Sequence, residues 1–417
     1  MKNRLVFMIC LVGCICFTLS VALPPADAKA LQGVPFLLLQ KQINSLRHKV
    51  EELEKQEGKV DKEVMVDCSA GDTIADVLLN AGPSGRLTIT VEGICMEEVT
   101  ITRDDVTLQG GSGTVMGHIK IDGARRIEIE GLMVPGGIAA ERGATVHVEN
   151  CIIEVDTGEA VAVSHGGFVE LVGNPLILSQ ESCAIVATDG GEVRLQNNQM
   201  IQSIHGDPNL CASALGLYRG ASARLRGGNT LVNGLPGGAV IDAADRSTIR
   251  QDGGFDVLNG RLSFTRSTNA DIRKAQISGF VFVHDSSVVR LRDSIVEGDL
   301  GIVGMSLLNL DRNVTVNGRA DIALSSTLRM PGSNTLNGDI SIGPRSQAYF
   351  DFGPDAATVN GTVTCGESIA SEPPDQVLTL FDSSFNPVTT SAGNPAFAYR
   401  GAAVGTPQNV VNYVNCN

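Results

Sequence analysis

The chain has 417 residues, a formal net charge of −14, 47 Gly, 4% aromatic residues and no Trp. A core must therefore be filled by Val, Ile, Leu and Ala between many glycine turns, which favours a repetitive β architecture over an ordinary enzyme domain. After residue 63 there are 23 basic and 39 acidic residues, and an acidic surface argues against nucleic acid and anionic membranes as partners.

Residues 1–30 read as a signal peptide. Lys2 and Arg4 precede the apolar run LVFMICLVGCICFTLSVAL, and ADAKA offers small residues for cleavage after Ala28 or Ala30. The run from Leu5 to Leu23 could also span a bilayer, but Pro24-Pro25 and the Ala-x-Ala exit favour cleavage. LVGC ending at Cys14 fits a lipobox, so a lipoprotein anchored at Cys14 is the alternative. The expected location is exported: periplasm, cell surface or medium.

Residues 31–63 carry a short helical seam. Leu39, Ile43, Leu46, Val50 and Leu53 alternate by four and three residues, as a and d positions do. Two readings stay open. The segment is an amphipathic helix on the main domain, or a short parallel stalk that makes a homo-oligomer through 39–60. Next, AGDTIADVLLNAG predicts a helix with Asp72 as N-cap, Ile74, Val77 and Leu78 on one face, and Gly82 as its end. It would cover the open end of the repeat region that begins at Gly82.

From Gly82 onward one phrase recurs. SHGGFVEL at Ser164 returns as TDGGEVRL at Thr188, and relatives run from GPSGRLTI at Gly82 to GPRSQAYF at Gly343. The steps lie between 19 and 30 residues, apart from one of 40 that reads as two rungs with STNADIRK near Ser267 as a worn copy. Alternation within each phrase is a strand signal, and a second short strand (HIKI, AVAV, AIVA, ALGL, FVFV) precedes many of them. Fixed-period self-similarity without helices between the strands predicts an all-β fold: a parallel β-helix over 64–365. Crossover sterics favour the right hand. Residues 366–417, richer in Ser, Pro and Asn, form a C-terminal cap or tail.

The stretch VDCSAGDTIADVLLNAGPSGRLTITVEGICMEEVTITRDDVTLQGG resembles the entry to a right-handed parallel β-helix of the pectin-lyase-like superfamily. The match lies in the capping helix, the Cys68…Cys95 pair, the EEVTI strand and the RDDVTLQGG rung. The export signal, short coil and β-helix together resemble exported bacterial repeat proteins. That superfamily hosts lyases, hydrolases, esterases, adhesins and tailspikes, so the fold does not choose an activity.

Seven of the ten Cys lie beyond the signal, and none forms a C-x-x-C pair, which argues against a zinc or other metal site. On the β-helix frame Cys68 and Cys95 can tie the cap to the first rung. Cys183 and Cys211 can bridge successive rungs, Cys365 and Cys416 can staple the tail, and Cys151 is left as a buried thiol. Six cysteines allow 15 connectivities, so other pairings stay open.

The polar residue between the two apolar ones of each phrase should point outward. Up the stack this column reads Thr88, Thr107, Glu128, His147, Glu170, Arg194, Arg224 and Arg250, then Arg290, Asn309, Arg329 and Tyr349. Asp105, Arg126 and Glu192 adjoin it. Glu128, His147, Glu170 and Arg194 are the candidates for acid–base chemistry, because Glu128 and Glu170 would stand two rungs, about 9.6 Å, apart. Arg194, Arg224 and Arg250 are the candidates for binding an acidic glycan, since the guanidinium fork suits carboxylates. GHIKID at 117–122 and IHGD at 204–207 carry no accompanying catalytic motif, and His165, His205 and Asp189 fall in turns. A solvated ladder of alternating charge remains the simpler reading.

The expected function is thus an exported structural or binding protein that presents its long faces to a surface glycan or a protein partner. It needs no cofactor. The alternatives are a polysaccharide lyase, the one case in which calcium could serve as a cofactor, a glycoside hydrolase, and a tailspike-like oligomeric adhesin. No membrane barrel comes after the β-helix, so self-secretion is not expected.

Overall fold

The computed structural model describes residues 42–45, 61–82, 85–204, 211–343, 345–350, 357–361 and 363–365, with three later strands, Leu378–Phe381, Phe397–Ala398 and Tyr413–Cys416. The signal at 1–30, Cys14 and most of the 39–60 seam lie outside these residues. Residues 42–45 are helical, and Ile43 there is exposed. Among the described residues no helix is long and apolar enough to cross a membrane.

Residues from Lys62 to Cys365 form a parallel β-solenoid of about 13 turns. A typical turn lays one strand on each of three faces. Face A begins with Lys62–Asp67 and Leu87–Glu92 and runs to Ser346–Phe350. Face B includes Ile152–Val155, Leu176–Ser179 and Ile201–Ser203, and ends at Thr358–Val359. Face C contains thirteen strands, from Val99–Ile101 to Val363–Cys365. The recurrent phrases are face A, and the short strands before them are face C. Face B carries no such signal in the sequence, because strands such as Ile295–Val296 and Thr315–Val316 are too short to show an alternation. The worn rung sits slightly earlier than expected: Asp271, not Arg273, pairs with both Arg250 and Arg290, so its phrase starts at Thr265.

Alternation and register together build the core. Val146, Val169, Val193, Ala223 and Ile249 pair in one inward column and are buried. Each valine or isoleucine of this column contributes about 1.5–3 kcal/mol when fully buried, and none could be buried by one rung alone. The corner from face C to face A explains the repeated phrase. In Ser164-His165-Gly166-Gly167 the two central residues are left-handed, φ 50° and 73°, and the Gly167 N–H donates to the Ser164 carbonyl at 2.9 Å. This primed turn favours glycine at its centre. Gly167 itself faces the rung below, where a Cβ would come within 2.4 Å of the Ala140 carbonyl oxygen.

Two internal stacks position the other corners. Between faces A and B, Asn174, Asn198, Asn229 and Asp256 form a buried ladder. Each accepts from the backbone N–H of the rung before it, at 2.9–3.2 Å. Between faces B and C, Gly260, Gly279, Gly298, Gly318, Gly338 and Gly361 stack so closely that a Cβ on the last five would approach the preceding glycine to 2.2–2.6 Å.

The N-terminal helix is Ile74–Asn80, with Ile74 buried and Val77 and Leu78 packed on the core. Its N-cap is Thr73 rather than Asp72. Thr73 Oγ1 accepts from Asp76 N at 3.1 Å, while Asp72 turns back toward Asp67 N at 3.4 Å. The helix ends at Asn80 with Ala81 as cap, short of Gly82. The Glu97 carboxylate accepts from Ile74 N and Ala75 N at 2.6 and 3.0 Å. Disulfides join Cys68 to Cys95 and Cys183 to Cys211, each with Cα atoms 5.1 Å apart. Cys151 is a free buried thiol, pushed up to about 11 by burial. Cys365 and Cys416 end their strands, but their side chains lie outside the described residues. In the tail, Tyr413–Cys416 pairs antiparallel with the last parallel strand of face A.

Candidate functional site

The outward column of face A is continuous. Thr88, Thr107, Glu128, His147, Glu170, Arg194, Arg224 and Arg250 pair rung by rung. Asp271, Arg290, Asn309, Arg329 and Tyr349 continue it. Strand pleating places these side chains on one surface about 4.8 Å apart.

The N-terminal half of the column is acidic and already engaged. Arg86 donates to the Glu128 carboxylate, which also accepts from Thr107 Oγ1 at 3.1 Å. His147 lies between Glu149 at 3.2 Å and Glu170 at 3.3 Å. Arg226 holds the other oxygen of Glu170 at 3.1 Å. Arg126 forms a bidentate pair with Asp105, which raises its pKa. A shallow recess of about 300 Å³ lies over Arg86, Glu128, His147 and Phe168. Glu128 and Glu170 do share one face with His147 between them. Each carboxylate is nevertheless held by a guanidinium instead of resting in the apolar pocket that prepares a carboxyl as general acid.

Beyond Glu170 the charge reverses. Arg194 pairs with Glu192 at 3.1 Å and lies 4.6 Å from the Phe168 ring centre. Arg224 and Arg250 share one carboxylate, Asp252, at 3.9 and 2.5 Å. Asp271 is shared by Arg273 and Arg292, at 2.8 and 2.7 Å. Burial raises the Asp271 pKa, but the hydrogen bond from Arg273 and the charges of Arg292, Arg273 and Arg290 outweigh it and hold the carboxyl below its ordinary range. Arg290 reaches only to 3.8 Å from Asp311, and Arg329 rests 5.4 Å from the Tyr349 ring centre with no carboxylate partner among the described residues.

Of these, Glu192, Arg224, Arg250, Asp271, Arg290 and Arg329 line one open groove of about 640 Å³, together with Asn309. Asn309 is buried, and its Oδ1 has no hydrogen-bond partner among the described residues. Buried polar groups are normally satisfied, and this oxygen is enclosed beneath the groove floor. Arg292 Nε is likewise unsatisfied: it lies 3.3 Å from Asp311 but outside hydrogen-bond geometry. Arg290, Asn309 and Arg329 belong to the outward column expected from sequence, yet they stand apart from the consecutive run Arg194–Arg224–Arg250 that suggested binding. Asp271 was hidden by the worn rung.

The remaining candidates separate from this surface. His165 and Asp189 occupy left-handed corners. His118 is half-buried on face C, and burial lowers its pKa. His205 lies outside the described residues. Cys68, Cys95 and Glu97 cluster within metal-ligand distance of one another, but the two sulfurs are joined and Glu97 caps the helix. Comparisons with protein-family models, with curated proteins and with solved structures find no match to this chain.

Proposed function

We propose that the chain is an exported, non-catalytic recognition scaffold that lays an acidic glycan along the arginine half of face A. Charge segregation carries this reading. Along this half of face A, the central column supplies Arg194, Arg224, Arg250, Arg290 and Arg329, and the next outward column adds Arg226, Arg273 and Arg292. Five carboxylates, Glu170, Glu192, Asp252, Asp271 and Asp311, oppose these eight arginines, in a chain of net charge −14. Guanidinium forks suit carboxylates, and the rung spacing offers one fork after another to a polymer.

The engagement of Glu128 and Glu170 by arginine favours binding over hydrolysis, and the reading needs no cofactor. The two disulfides suit an oxidising compartment outside the cytoplasm. The same proposal takes the solenoid as right-handed and of the pectin-lyase-like kind, on the Val66–Gly111 motif and on crossover sterics.

The test is retention of the full chain on polygalacturonate and alginate, with dextran as neutral control. New reducing ends and unsaturated products are read in the same runs, with and without calcium. Binding to the acidic polymers, weakened about 10-fold by Arg250→Ala or Arg290→Ala as a lost charged hydrogen bond predicts, is the expected outcome. Products would overturn the non-catalytic reading. Equal retention on dextran would overturn the acidic glycan.

A further inference from the structure

Face B presents a second surface of different character. Its outward column pairs Ile94 with Thr114, Thr114 with Met133, and Met133 with Ile152. Ile152 pairs with Leu176, and Met200 stands one rung further on, its carbonyl accepting from Ile177 N at 2.9 Å. Beside the first rungs stand Met96 and Met116. Met96 is 77% exposed, Ile94 59% and Met133 45%. The result is an apolar ladder on the outside of the solenoid, where exposed patches of this kind mark interaction sites.

Its rim has one sign. The six segments that carry the ladder, at 92–98, 109–117, 130–137, 149–159, 172–182 and 196–203, contain nine carboxylates and no Lys or Arg. Glu92, Glu98, Glu130, Glu154, Asp156 and Glu181 are exposed. The ladder fades at Thr230, beside the rungs where face A turns basic.

We propose that this ladder docks a basic amphipathic helix of a partner protein. An apolar strip with carboxylates on both sides complements a helix with one apolar stripe and cationic flanks. Methionine suits such a surface because its unbranched, polarisable side chain adapts to the partner's shape. The dimensions agree as well. From Ile94 to Met200 the ladder spans five rung steps, about 24 Å at strand spacing. A helix rising about 1.5 Å per residue covers that length in roughly 16 residues. The acidic rim disfavours an anionic lipid surface. This site is separate from the glycan groove and does not depend on it.

The probe is a fluorescein-labelled helical peptide of about that length, with leucines on one face and lysines on the other. A shuffled peptide of the same composition is the control. Both are titrated against the full chain by fluorescence anisotropy. The amphipathic peptide should bind and the shuffled one should not, and Met133→Glu should weaken binding at least about 10-fold by placing a charge in the apolar strip. That variant makes the surface more negative, so adsorption by charge alone predicts equal or tighter binding and would overturn the proposal. So would equal binding of the shuffled peptide, or uptake onto phosphatidylcholine vesicles without peptide binding. Arg250→Ala should leave peptide binding unchanged, and Met133→Glu should leave glycan retention unchanged, so the two surfaces fail or hold separately.

Discussion

Replacing Asn198 by alanine tests what the buried ladder contributes. Asn198 is fully buried, and its Oδ1 accepts from Asn174 N at 3.2 Å and Asn174 Nδ2 at 2.9 Å. Its Nδ2 donates to the Leu171 carbonyl at 3.0 Å and to Asn229 Oδ1 at 2.9 Å. Alanine leaves the Asn174 backbone N–H and one Asn174 Nδ2 hydrogen without an acceptor, Nδ2 keeping only the Val148 carbonyl at 3.2 Å, while Asn229 Oδ1 keeps the Asn198 backbone N–H at 3.1 Å. An orphaned buried donor costs about 1–3 kcal/mol, so the pair costs about 4 kcal/mol. At about 2 °C per kcal/mol for a domain of this size, Tm falls by about 8 °C. The internal control is the exposed ladder on face B, where Asn337 Nδ2 donates to Asn317 Oδ1 at 2.8 Å and Asn360 Nδ2 to Asn337 Oδ1 at 2.7 Å. There water replaces the lost partner, and Asn337→Ala should move Tm by no more than about 1–2 °C, since surface changes stay near 0.5 kcal/mol. Calorimetry on both variants decides the matter. Equal small shifts would mean that the buried amides are not what holds the corner.

The same corner and its neighbour give two more expected outcomes. Burial raises the pKa of Asp256 above its ordinary 3.8, against the opposing hydrogen bonds from Asn229. The native state then keeps a proton that the unfolded chain has released, so stability declines as pH rises from about 4 through the native pKa and then levels. Asp256→Asn should flatten that slope in Tm against pH, and a slope left intact would locate the effect elsewhere. The Cys183–Cys211 disulfide closes a separation of 28 residues. Replacing both cysteines by alanine should cost about 3 kcal/mol, read from the urea midpoint; an unmoved midpoint would show that the two rungs are held together without it.

The fold was legible where the chain repeats a period. Face A strands of four to six residues show strict alternation, so each outward residue from Thr88 to Arg250 can be assigned from the pattern alone. The corners were legible through paired turn residues such as His165-Gly166. Face B was not, because its strands of two to four residues are too short to show a period. The asparagine ladder escaped for another reason: Asn174, Asn198, Asn229 and Asp256 stand at unequal spacings and look like loop residues until the register stacks them. In the groove, the arginines are readable from sequence. Their excess over carboxylates is not, since it depends on Arg224 and Arg250 sharing Asp252, and on Arg273 and Arg292 sharing Asp271.

The antiparallel strand Tyr413–Cys416 at the end of face A has a consequence for growth. A stack of parallel strands is a template that could add copies without limit, in the manner of a fibre. The last parallel strand, Ser346–Phe350, spends its outer hydrogen-bonding edge on a strand of opposite direction, which cannot seed another rung of the same winding. Length at that end is therefore set by a terminator. Duplication or loss of whole rungs during evolution can change the reach of the groove and of the face B ladder while the terminator stays in place.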